Sequence, residues 1–198
     1  MTPPRPPADL EARTPLTVTL PPGTALHRFY TAGREPIYCA TSPMGRLNAP
    51  DGRYGVLYAA ARPEGAFAET FLRTPGRTLL ASEFIAAKGQ ARLGLLHPLT
   101  LIQLHGPGLA RLGATAEVIH GGLPYDTSQA WSAALHDHPL QAHGIAYTAR
   151  HDDAEVCYAI FERAAGALTL DAATEDLEGE DGFYVLAEHY GVGLAPSR

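Results

Sequence analysis

Certain polar side chains of this chain sit in apolar stretches where packing by itself has no use for them. Arg28 lies in Leu26-His27-Arg28-Phe29-Tyr30, Arg46 in Gly45-Arg46-Leu47-Asn48, and Tyr58 in Val56-Leu57-Tyr58-Ala59. Glu69 lies in Ala66-Phe67-Ala68-Glu69-Thr70, and Thr148 closes Gly144-Ile145-Ala146-Tyr147-Thr148. A guanidinium or carboxylate flanked by hydrophobic residues is costly to bury unless it is paired or meets a charged ligand. The set therefore predicts a polar pocket inside a compact core. Two arginines beside a glycine-containing loop suit a nucleotide diphosphate, because a guanidinium grips phosphate through two parallel charge-assisted hydrogen bonds. The structural alternative pairs Arg28 and Arg46 with an acidic neighbour such as Glu69, buries Tyr58 as core, and lets Thr148 satisfy a strand neighbour. Glu69 fits packing least well, since helix positions flanked by Ala66, Phe67 and Ala68 face the interior, where a carboxylate needs a task.

Other chemistries leave weaker marks. His136, His138, His143 and His151 lie near Asp137 and Asp152, which raises a histidine-ligated metal hydrolase as a third possibility. His136 and His138 share a face only in a strand, however, whereas Trp131 and Leu135 mark that stretch as helix, so no metal is expected. There is no Walker A pattern, Gly106-Pro107-Gly108 lacks the third glycine of a dinucleotide fingerprint, and no serine occupies a Gly-x-Ser-x-Gly elbow.

The elements that must hold these residues are short. Val56 to Ala60 and Leu26 to Tyr30 read as strands, and Gly45 to Gly55 as an ordered loop rich in Gly, Pro, Asn and Asp. Glu64 to Arg73, with Phe67 and Phe71 at helical spacing, predicts an amphipathic helix carrying Glu69. Ser82 is placed to cap a second helix running toward Leu93, Leu99 to Leu104 is a β-type run, and Thr127 to His136 is a third helix. Ile145 to Thr148 and Val156 to Phe161 read as antiparallel strands joined by Arg150-His151-Asp152-Asp153. The acidic stretch between Asp171 and Asp181 reads as a solvated loop before a packed terminal segment, Phe183 to Tyr190. Short strands mixed with helices, without regular βαβ alternation, predict an α+β fold.

Composition bounds the rest. The chain has 198 residues, 45% of them hydrophobic, enough for one core. Prolines at 3, 4, 6, 7, 15, 21 and 22 predict a Pro-rich, partly disordered arm over residues 1–23, leaving 24–198 as a single domain. A net charge of -6 disfavours broad contact with nucleic acid but allows a local cationic pocket. Cys39 and Cys157, far apart and outside any CxxC spacing, are expected to be reduced, buried and inert. With no signal-like or membrane-spanning apolar run, a cytoplasmic protein is expected.

Taken in order, the segments resemble the RES domain, named for an arginine, a glutamate and a serine and found in bacterial toxins paired with Xre-type antitoxins. The resemblance runs from about Leu26 to Phe161. Besides the motifs around Arg28, Arg46, Tyr58 and Glu69, it includes Leu109-Ala110-Arg111-Leu112-Gly113, Thr127-Ser128-Gln129-Ala130-Trp131 and Gly144-Ile145-Ala146-Tyr147-Thr148-Ala149-Arg150. It implies an ADP-ribosyltransferase-like fold, a split antiparallel β-core with peripheral helices and a cleft for NAD. It further implies cleavage of the nicotinamide–ribose bond, with water, phosphate or a protein as acceptor, an antitoxin partner and a possible homodimer. Carried onto this chain, it makes Glu69 the carboxylate that stabilises the oxocarbenium-like state. Arg28 and Arg46 become the grip on the pyrophosphate or adjacent ribose, Tyr58 an aromatic face for nicotinamide, and Thr148 a hydroxyl orienting the ribose or Glu69. Thr148 stands where the family has serine, keeping the hydroxyl and adding a methyl group and a stiffer χ1. The competing reading from another class is a catalytically silent module that binds NAD, ADP-ribose or an antitoxin.

Overall fold

The computed structural model describes residues 3–74, 76 and 78–195. The elements, in chain order, are β1 (Thr17–Leu20), β2 (Ala25–Thr31), β3 (Val56–Ala60), α1 (Pro63–Phe71), β4 (Leu79–Leu80), α2 (Ser82–Ala86), β5 (Lys88–Leu95), β6 (Leu99–Gln103), α3 (Pro107–Leu112), α4 (Glu117–His120), α5 (Asp126–Asp137), β7 (Gly144–Ala149), β8 (Asp152–Phe161), β9 (Leu168–Thr174), α6 (Asp181–His189) and β10 (Gly193–Leu194). An eight-stranded sheet in the order β1-β6-β7-β8-β3-β2-β5-β9 forms the scaffold, and β4 pairs with β10 beside it. Within the large sheet only β6 and β7 run parallel. The fold is α+β, as the pattern of short strands and helices predicts.

Strand alternation splits the buried side chains into two clusters. In β7, Ile145, Tyr147 and Ala149 join one cluster while Ala146 joins the other. The first cluster carries α1, α5 and α6. Pro63 at the start of α1 presets the helical φ, with Arg62 in extended geometry before it, and Ala66, Phe67, Ala68 and Phe71 turn inward. Phe71 lies 5.0 Å from Phe29 of β2 and 5.4 Å from Phe183 of α6, both edge-on, and Phe67 stacks on Tyr190 at 5.5 Å. This aromatic layer locks the helix bearing Glu69 onto the sheet.

Two expectations from local pattern are corrected. The helix expected from Ser82 toward Leu93 ends at Ala86, and Lys88–Leu95 is β5, paired with β2 from Ala25↔Gly94 to Thr31↔Lys88. Sheet pairing overrides helix propensity there, and Gly89 admits the Tyr30 ring, since a Cβ on it would lie 2.6 Å from Tyr30 Cζ. Ser82 does not cap: Ala81 holds that position, and the Ser82 hydroxyl donates to the Ala195 carbonyl at 3.1 Å. The start of the acidic stretch belongs to β9, an edge strand on β5 whose exposed side chains hide the alternation.

Residues 3–23 run along the body. The Pro4 carbonyl accepts the Trp131 indole N–H at 2.7 Å, Leu10 is buried, and β1 pairs with β6. Phe183, fully buried, ties the last helix to α1 and β2. Phe183→Ala is expected to lower stability by ~3–5 kcal/mol, read as a fall in the urea midpoint at constant slope. A loss under ~1 kcal/mol would show that α6 adds nothing to the cooperative core.

Candidate active site

Glu69 sits in the last turn of α1, and Arg46 reaches it from the loop before β3. The Arg46 Nη2 to Glu69 Oε2 distance is 3.2 Å, with side chains 11% and 19% exposed, respectively. Glu69 Oε2 also accepts the Tyr147 hydroxyl at 3.3 Å, and Oε1 accepts the Arg150 backbone N–H at 3.0 Å. Donors from the loop, from β7 and from the turn after it thus fix the carboxylate in one orientation. Arg46 Nη1 donates to the Ile119 carbonyl, and its guanidinium lies 6.0 Å from the centre of the Tyr147 ring. Burial pulls the Arg46 pKa down, but the Glu69 carboxylate, followed by Tyr147 and Tyr58, holds it above its ordinary value.

The loop carrying Arg46 is built by polar contacts from several elements. The Tyr58 hydroxyl donates to Asn48 Oδ1 and accepts the Leu47 N–H, each at 2.8 Å. Asn48 Nδ2 donates to the carbonyls of Ala40 at 3.0 Å and Ser42 at 2.7 Å. From α5, Gln129 Nε2 donates to the carbonyls of Pro43 at 2.6 Å and Gly45 at 3.1 Å, and Ser132 Oγ to that of Leu47 at 2.6 Å. Gly45 has no alternative, because a Cβ there would lie 2.1 Å from Asn48 Oδ1. Tyr58 therefore braces the loop with its hydroxyl while its side chain lines the cavity, and burial pushes its phenol well above the usual range.

Arg28 stands apart from this network. It borders the same cavity of about 900 Å³ that Arg46, Tyr58, Glu69 and Tyr147 line, but its pairing with Ala91 puts its side chain on the sheet face of Leu26 and Tyr30, opposite that of Phe29. Its Nε and Nη1 are enclosed without a hydrogen-bond partner, and burial brings its pKa down to about 10. The structural alternative thus holds for Arg46, which pairs with Glu69, and fails for Arg28. The cavity is lined by the fixed Glu69 carboxylate and by Arg28, Arg46, Arg73 and Lys88, an excess of positive charge that suits an anionic ligand and sets an acid beside it. Met44, 76% exposed, and Leu79, 57% exposed, give the cavity wall an apolar share.

Thr148 is not brought to this cavity. It follows Tyr147 on β7, so alternation turns its side chain elsewhere, and its Oγ1 lies 3.2 Å from His120 Nε2 in a smaller pocket of about 330 Å³. The group from β7 that reaches Glu69 is Tyr147, hidden in the sequence as an ordinary inward strand residue. Asn48, Gln129 and Ser132 also escaped sequence reasoning. The spacing of Gln129 and Ser132 beside Trp131 on the buried face of α5 was the available signal.

The histidines disperse. His136 stacks on Tyr54 at 3.9 Å, His138 Nε2 meets the Arg13 carbonyl at 3.2 Å, and His143 Nδ1 accepts the Thr100 N–H at 2.9 Å. Among the described residues no group of three or more His, Cys, Asp or Glu is placed to hold a metal ion. Cys157 is buried, with its thiol pushed up by burial, while Cys39 is only half-buried; both are free. No helix among the described residues is long and apolar enough to cross a membrane.

No curated protein matches the chain. Among solved structures, a chain of the crystal structure of the M. tuberculosis MbcT-MbcA toxin-antitoxin complex is similar, with a TM-score of 0.62 and 18% identity. The match covers 79% of this chain and 85% of that one, and at this identity the likeness is one of fold. The RES domain profile matches residues 42–179, from the loop bearing Arg46 through Glu69 and β7 to the segment after β9. With most of its length inside that match, the chain belongs to the RES domain family.

Proposed function

We propose that this chain is the toxin of a bacterial toxin–antitoxin pair and that it consumes NAD by cleaving the nicotinamide–ribose bond. The observation that carries this reading is one cavity lined by the fixed Glu69 carboxylate and by the cationic residues Arg28, Arg46, Arg73 and Lys88. The diphosphate of NAD supplies the anion that this excess of cationic residues calls for, with Arg46 held next to Glu69. The membership in the RES family and the fold shared with a chain of a toxin–antitoxin complex support the same reading.

The chemistry follows from charge. As the glycosidic C–N bond breaks, its electron pair leaves with nicotinamide, which becomes neutral, and positive charge develops on the ribose. A carboxylate already held by Arg46, Tyr147 and the Arg150 N–H stabilises that charge without reorganising, so it favours the transition state over the ground state. Water, phosphate or a protein nucleophile then bonds to the ribose carbon and gives up a proton. Because the leaving group is neutral, a strong general acid is unnecessary. Tyr58 holds the loop and adds an aromatic surface to the cavity. An antitoxin that covers this cavity would silence the protein, and the Xre type is the expected partner.

Two outcomes check the reading. Incubation with NAD, with and without phosphate, is expected to release nicotinamide, and Glu69→Gln is expected to slow release by about 10²- to 10³-fold with the fold intact. Retained release in Glu69→Gln would remove Glu69 from the chemistry, and ADP-ribose binding without any release would favour the silent module. Arg28→Met exchanges an unpartnered buried cation for an apolar side chain of similar length. It is expected to raise unfolding stability by ~1–3 kcal/mol while weakening ADP-ribose binding at least about tenfold. A destabilised variant with unchanged affinity would show Arg28 to be a structural residue.

A further inference from the structure

Consecutive residues of α4 fasten this one-turn helix to different parts of the molecule. The Val118 carbonyl accepts the Ser128 hydroxyl of α5, and the Ile119 carbonyl accepts Arg46 Nη1. His120 Nε2 meets Thr148 Oγ1 of β7 at 3.2 Å. A helix of one turn has almost no stability of its own, so its place is set by such attachments and by the buried side chains of Val118 and Ile119.

Arg46 depends on that place. Its Nη2 is committed to Glu69, its Nε is enclosed without a partner, and the Ile119 carbonyl is the acceptor that fixes the tilt of the guanidinium plane. His120 and Thr148 line the 330 Å³ pocket and not the large cavity, so neither touches a ligand held there. Taking the large cavity to be the ligand site, we propose that His120 and Thr148 are positioning residues. Their hydrogen bond clamps α4 to β7, so that the Ile119 carbonyl holds Arg46 at the angle the ligand and Glu69 require. This gives the hydroxyl at position 148 a task outside the cleft. Serine would serve as well as threonine, whose stiffer χ1 holds the hydroxyl ready.

The test uses His120→Ala, Thr148→Val and Thr148→Ser in the full chain, with two readouts. The first is the ¹⁵N–¹H resonance of the Arg46 side-chain Nε–H, identified by its loss in Arg46→Lys. The second is the calorimetric affinity for ADP-ribose. His120→Ala and Thr148→Val are expected to shift or broaden the Arg46 resonance and to weaken ADP-ribose about three- to tenfold, while Thr148→Ser leaves both as in the parent. In turnover, KM for NAD rises more than kcat falls. An Arg46 resonance unchanged in both His120→Ala and Thr148→Val overturns the clamp. If the parent protein binds no ADP-ribose, the ligand reading fails, and the resonance alone still decides whether the clamp exists. If His120→Ala does not fold, the contrast between Thr148→Val and Thr148→Ser decides it.

Discussion

The cavity is lined by one carboxylate, Glu69, and by the cationic residues Arg28, Arg46, Arg73 and Lys88, and among these it is Arg46 that pairs with Glu69. Arg46 and Glu69 satisfy each other at 3.2 Å, an affordable burial because further donors complete the carboxylate. Arg28 has no such partner for its Nε and Nη1, and burial lowers its pKa. At about 10 it remains a cation at neutral pH. A buried cation without a partner costs stability.

Much of the surrounding structure serves to keep these charged groups in place. The aromatic layer of Phe29, Phe67, Phe71 and Phe183 fixes α1 on the sheet, so Glu69 cannot swing away to solvent. The loop bearing Arg46 has no regular structure of its own and is held by Tyr58, Asn48, Gln129 and Ser132, polar side chains that bind backbone carbonyls and amides. Arg28 projects from β2, rigid between β3 and β5. A helix and a braced loop thus hold Glu69 and Arg46 as a fixed pair, and rigid delivery is what preorganised electrostatics requires.

Family membership and local geometry support one another without being the same argument. The RES profile covers the segment holding Arg46, Tyr58, Glu69 and Thr148, and Arg28 lies before its first residue. The unpartnered guanidinium is therefore an observation made on the structure alone, at a residue that borders the same cavity. Thr148 shows the converse: a position marked by its family motif whose side chain the structure turns toward His120 rather than toward Glu69.

From the amino-acid order alone came the α+β class, the helix bearing Glu69, the strands around Arg28, Tyr58 and Thr148, and the expectation of a polar pocket in the core. Those features are legible because they rest on local periodicity and on the cost of leaving charge among apolar neighbours, both properties of short segments. The tertiary structure decided which arginine pairs with Glu69, that Tyr147 donates to it, that Lys88–Leu95 is a strand, and that Thr148 faces another pocket. Glu69 meets Arg46 across 23 positions and Tyr147 across 78, and β5 exists because β2 lies beside it. Contacts between distant segments depend on register and on the alternation of side chains across a strand. A single slip would exchange Tyr147 for Thr148 at the carboxylate, and no local pattern records that choice.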